Sequence, residues 1–155
     1  MRPGSLAVVT ATPSADREPD GSGSERTETQ SIESDVAPDA VVALLADPRR
    51  IPEWAPVFAD TVAGDPQAGW RAIKDGREFE LRVTTSKDAR TVDYLREVAP
   101  GREGGAYLRA LPRPGAGSVI VMTLPLPPGS DPAIVAATLH DELGALAELV
   151  AAVSG

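Results

Sequence analysis

The sequence predicts an α+β fold in which consecutive antiparallel strands pack against one long C-terminal helix. Three observations predict it. The segment Glu78-Phe-Glu-Leu-Arg-Val83 alternates strictly, with Phe79, Leu81 and Val83 on one face and Glu78, Glu80 and Arg82 on the other. Turn-forming clusters punctuate the middle of the chain at Asp75-Gly76, Ser86-Lys-Asp88, Pro100-Gly101 with Gly104-Gly105, and Pro114-Gly-Ala-Gly117. Their spacing suits successive hairpins, and a meander is the simplest topology. Beyond Asp131-Pro132, the apolar residues Val135, Leu139, Leu143, Leu146 and Val150 recur at intervals of three and four, the pattern of a helix laid along a sheet.

The elements follow in order. Residues 1–28 carry Pro, Ser, Gly, Asp and Glu with one short apolar stretch, Leu6 to Ala11, and cannot offset their ordering entropy. They are expected to form a disordered tail ahead of a single folded domain, residues 29–155. Ser31 to Val36 reads as a first strand. Ala37-Pro38-Asp39 opens a helix, because proline at the first helical position gives up an N–H that would have no partner. Val41, Leu44 and Leu45 form its buried stripe, Asp47-Pro48 ends it, and Ile51 to Pro56 restarts a brief second helix carrying Trp54. Five strands are expected next, at Gly69–Ile73, Glu78–Thr85, Thr91–Val98, Ala106–Leu111 and Ser118–Leu124. Asp131 then caps a helix running to about Val153, with Pro132 in its first turn. The order is β-α-α-β-β-β-β-β-α.

Composition narrows the chemistry. The 155 residues include 23 acidic against 15 basic side chains, a formal charge of −8, which argues against nucleic acid or an anionic membrane as the main partner. There is no cysteine and one histidine, so disulfides, thiol nucleophiles and Cys- or His-rich metal sites are excluded. No apolar window approaches the roughly 18 residues of a membrane span. A cytoplasmic protein without metal or nucleotide cofactor is expected. Gly115-Ala-Gly117 matches neither a dinucleotide fingerprint nor a phosphate-binding loop, and there is no Gly-x-Ser-x-Gly elbow. Thirteen of the basic residues are arginine, a bias typical of GC-rich coding, so any one arginine says less about anion recognition than usual.

Two polar residues stand out against that background. If Val92 and Tyr94 face inward, alternation carries Arg96 inward too, where its guanidinium would need an anion such as a substrate carboxylate or enolate. A bulge before Arg96 would instead turn it to solvent beside Glu97. His140 is the one side chain with an ordinary pKa near neutrality, the natural acid–base candidate. Its helical neighbours Ala136 and Gly144 offer no carboxylate to orient it, which fits a surface histidine equally well.

The element order, together with Val41-Val-Ala-Leu-Leu-Ala-Asp-Pro48 leading to Ile51-Pro-Glu-Trp-Ala-Pro56 and the helical Glu142-Leu-Gly-Ala-Leu146, resembles the START-like (SRPBCC) superfamily, which includes polyketide cyclases and coenzyme Q-binding proteins. The resemblance implies a helix-grip fold, a curved antiparallel sheet wrapped around the long C-terminal helix with a hydrophobic cavity between them. It implies Trp54, Phe58, Trp70, Phe79, Leu81, Tyr94, Tyr107 and Leu143 as the lining, or else as ordinary core. The implied function is binding of a hydrophobic or aromatic small molecule, in a cyclase, aromatase or dehydratase whose polar groups would be Tyr94, Tyr107, Arg96 and His140. A non-catalytic carrier or sensor of a lipid, quinone or pathway intermediate, and a protein-interaction module, are the alternatives.

Overall fold

The computed structural model describes residues 26–155. The chain runs β1 (Thr27–Ser34), α1 (Pro38–Leu45), a single 3-10 turn (Pro48–Arg50), α2 (Ile51–Trp54), β2 (Thr61–Asp65), β3 (Gly69–Lys74), β4 (Arg77–Ser86), β5 (Thr91–Ala99), β6 (Arg102–Pro112), β7 (Ser118–Pro125) and α3 (Pro132–Ser154). All strands join one antiparallel sheet in the order β1-β7-β6-β5-β4-β3-β2. Strands β2 to β7 are the expected meander. β1 crosses back to pair with β7, from Thr27↔Pro125 to Ser34↔Ser118.

The fold class and element order are those expected, and three details differ. β2 is an additional strand, and β6 begins at Arg102, so that Gly104 and Gly105 lie inside a strand and not in the turn before it. β1 begins at Thr27, inside the segment expected to be tail; the rest of that segment, residues 1–25, lies outside the described residues.

Local chemistry explains the connections. Asp75 and Gly76 both have positive φ, 53° and 79°, as a two-residue hairpin turn matched to the twist of β3 and β4 requires. Asp60 accepts hydrogen bonds from the Asp75 backbone N–H (2.9 Å) and from Lys74 Nζ (3.3 Å), while Lys74 also donates to the Pro56 carbonyl (2.9 Å). The segment after α2 is thereby tied to the β3–β4 hairpin. Buried Ser118 donates to the Val36 carbonyl (2.9 Å), and the Ser34 hydroxyl accepts from the Val36 N–H (3.0 Å), fixing the turn from β1 into α1. Asp131 caps α3 by accepting from the Ala133 N–H at 2.9 Å.

The core lies between the inner face of the sheet and the helices. Leu139, Leu143, Leu146 and Val150 of α3 are buried against Val41, Leu44 and Leu45 of α1 and against Ala72, Leu81, Val92, Leu108, Ala110, Ile120 and Met122 of the sheet. α3 packs closely on β1 and on α2. Two irregularities shape the sheet. β4 pairs with β3 through Arg77–Leu81 and with β5 only from Arg82↔Leu95 to Ser86↔Thr91, so β4 and β5 part company beyond Leu95. The β5–β6 ladder then shifts register between Glu97 and Ala99.

Candidate ligand cavity

α3 follows β1, leaving room between its first half, α2 and the middle of the sheet. That space is a cavity of about 220 Å³. Its lining comes from α2 and the turn after it (Ile51, Trp54, Ala55, Val57, Phe58), from the inner face of β5 to β7 (Tyr94, Ala106, Met122, Leu124) and from α3 (Thr138, Glu142). The walls are overwhelmingly apolar. Val57 is 63% exposed and therefore marks the rim, and Ile134, 65% exposed, stands one turn ahead of Thr138 on α3.

Tyr94 lines the cavity with its ring and is spoken for at its tip. Its hydroxyl donates a 2.6 Å hydrogen bond to the carbonyl of Leu45, the last residue of α1. Burial, with a smaller contribution from the Asp47 charge, pushes its ionisation upward, so it stays neutral. Trp54, 2% exposed, packs against it with ring centroids 6.3 Å apart. The hydroxyl of Tyr94, expected as a polar catalytic group, thus closes off a helix end.

Glu142 is the carboxyl that lines the cavity. Burial pushes its carboxyl up to about 7, helped by the charge of neighbouring Asp141, with no cation offsetting the shift. Sequence reasoning passed over it. The available signal was its place on α3, three residues after Leu139 and four before Leu146, at the margin of the apolar stripe where a carboxylate is out of keeping.

The remaining expected residues are scattered. Leu81 and Leu143 are sealed in the core. Trp70, half-buried on β3, has the Arg49 guanidinium 5.9 Å from its ring. Two of the expected residues lie outside the cavity lining. Tyr107 is 40% exposed because alternation along β6 turns Ala106 and Leu108 inward and Tyr107 outward. His140 is exposed because its neighbours Leu139 and Leu143 take the buried face of α3. Arg96 does keep the inward alternation of Val92 and Tyr94, since the irregularity in β5 falls after Glu97. Its guanidinium carbon lies 3.8 Å from the centre of the Phe79 ring. Phe79 in turn meets Phe58 edge-on at 5.7 Å. Among the described residues, no cluster of three or more His, Asp or Glu could hold a metal, and no helix is long and apolar enough to cross a membrane.

Comparison with curated proteins finds no matching sequence. Solved structures share the fold at low identity. A START superfamily protein from Mycobacterium smegmatis superposes with a TM-score of 0.62 at 12% identity, covering 84% of this chain and 99% of its own. The Zhui aromatase/cyclase from Streptomyces sp. R1128 gives 0.56 at 16% identity, over 82% and 94% of the two chains. The di-domain aromatase/cyclase BexL from the BE-7585A biosynthetic pathway gives 0.63 at 21% identity, over 84% of this chain and 48% of that one. The sequence profile described as polyketide cyclase/dehydrase and lipid transport matches residues 26–153, which takes in every strand and helix described above but for the last residue of α3. A sheet gripping a long helix around an apolar cavity, under a profile spanning the whole fold, makes this chain a member of the polyketide cyclase/dehydrase and lipid transport family.

Proposed function

We propose that the protein binds a hydrophobic small molecule in the cavity between α2, α3 and β5–β7, and acts on it as a cyclase or dehydratase with Glu142 as the proton-transfer group. One observation carries the proposal: an apolar cavity with a single carboxyl among its lining residues, held near neutrality by burial. Membership of the family supports the hydrophobic ligand. A carboxyl in this range exists in both forms at physiological pH, which general acid–base catalysis favours.

In a dehydration, the Glu142 carboxylate takes the proton from carbon next to a ketone, and the electron pair left behind forms the new carbon–carbon double bond. The carbon–oxygen bond of the β-hydroxyl breaks, and the departing oxygen receives the proton back from Glu142 as water is released. Glu142 ends as it began, and the step needs no oxidant or co-reactant. Apolar walls serve by holding the chain in a reactive fold and excluding bulk water.

The test is native mass spectrometry and thermal shift of the protein with β-hydroxyketones, quinones and fatty alcohols, followed by turnover assays on whatever binds. Stabilisation that follows mass action is expected, with turnover that disappears in Glu142→Gln while binding persists. Binding without turnover in the unaltered protein would replace catalysis with a carrier role. No stabilisation by any member of the panel would sink the proposal.

A further inference from the structure

Where β4 and β5 part company, the sheet opens into a cleft of about 380 Å³ lined by Phe79, Glu80, Arg82, Leu95, Arg96, Glu97 and Glu103. Two of these, Phe79 and Arg96, belong to the inner face. The Arg96 Nε is buried with no hydrogen-bond partner, and among the described residues its guanidinium enters no ion pair. Stacking on Phe79 occupies a face of the guanidinium and leaves the in-plane Nε–H without a partner. A buried, unpaired donor on a permanent cation is costly, and such groups ordinarily have a partner.

The cleft is separated from the cavity by a pair of rings. Phe58 lines the cavity, Phe79 lines the cleft, and the two touch edge to face. Phe58 sits on the turn after α2, outside any helix or ladder, so a rotation of its side chain would break no strand pairing. Alone, the cavity falls short of the roughly 300–1,000 Å³ of ordinary small-molecule sites; joined to the cleft it comes within that range.

We propose that the ligand is an elongated amphipathic acid, whose apolar body fills the cavity and whose carboxylate passes the Phe58–Phe79 pair to be bound by Arg96. The proposal rests on the cavity being the ligand site. Charge on the outer side of the sheet gives the direction of approach. Exposed Glu80, Glu97 and Glu103 face solvent there, Arg82 is already paired with Glu103, and Glu97 accepts the Gly101 N–H at 2.8 Å. A free anion arriving from solvent meets carboxylates first. An anion carried on an apolar chain arrives from within and meets the guanidinium edge, which matches a carboxylate with two parallel hydrogen bonds.

The test compares decanoate with decanol, and acetate as a free anion, by calorimetric titration of the full chain at neutral pH. Decanoate is expected to bind on the order of tenfold more tightly than decanol, the usual return on a charge-assisted hydrogen bond. In Arg96→Leu the two should bind alike, and Arg96→Lys should recover part of the difference. The comparison in the unaltered protein stands even if a variant fails to fold. Equal binding of decanoate and decanol would overturn the Arg96 assignment and leave the cavity as a neutral-ligand site. Acetate binding as tightly as decanoate would overturn the joined chambers, and failure of both decanoate and decanol would remove the cavity reading as well.

Discussion

Two polar side chains against the cavity have opposite duties. Tyr94 donates to the carbonyl that ends α1, one of those a helix leaves without an internal partner. Replacing it with phenylalanine keeps the ring and orphans that carbonyl, so Tyr94→Phe is expected to lose about 1–3 kcal/mol in urea unfolding with its ligand preference intact. Glu142 is held up to about 7 against an ordinary 4.5. The folded state thus keeps its proton longer than the unfolded chain, and the associated stability, complete below about 4.5, is lost as pH rises through about 7. Unfolding free energy should fall across that window and fall less in Glu142→Gln; identical pH profiles would show that Glu142 is not desolvated. Asp93, raised by burial, adds to the decline from the acid side, whereas Asp47, Asp60 and Asp65, lowered chiefly by hydrogen bonds, lose stability only at more acidic pH. Of these residues, the sequence could place Tyr94 inward by alternation, but not its acceptor, which is 49 residues away.

At the scale of elements, Gly105 decides how closely β5 and β6 lie. A Cβ there would stand 1.9 Å from the Tyr94 carbonyl oxygen, with the strand backbone and not a flexible side chain in the way. Gly105→Ala should cost about 2–3 kcal/mol, seen as a lower urea midpoint with an unchanged slope. Unaltered stability would mean that the strands lie farther apart. This is also why a double glycine reads as a turn and turns out to be strand: in sequence the two uses of glycine, freedom of φ and want of a side chain, are indistinguishable. β2 escaped for a different reason. Thr61-Val-Ala-Gly-Asp65 is an edge strand with only Val62 turned toward the core, so no alternation betrays it. Strands buried on one face, such as β4, and α3 with its repeating leucines, were legible because burial imposes a period.

For the molecule as a whole, the question is whether the space under α3 is used. Ala106→Leu puts a larger apolar side chain into the cavity wall. The ligand-free protein is expected to gain about 0.5–2 kcal/mol as cavity filling usually does, while thermal stabilisation by ligand disappears. Ligand binding undiminished in Ala106→Leu would place the ligand elsewhere. By itself the sequence determined the fold class, the order of its long elements, the Asp131 cap of α3 and the exclusion of thiol chemistry and of Cys- or His-rich metal sites, since each depends on local periodicity or on composition. Only the tertiary structure decided which polar groups meet the cavity. Glu142, Arg96, Tyr107 and His140 are sorted by a one-residue change of face on a strand or by one step around a helix, and strand register and helix rotation are settled by packing against elements far away in the chain.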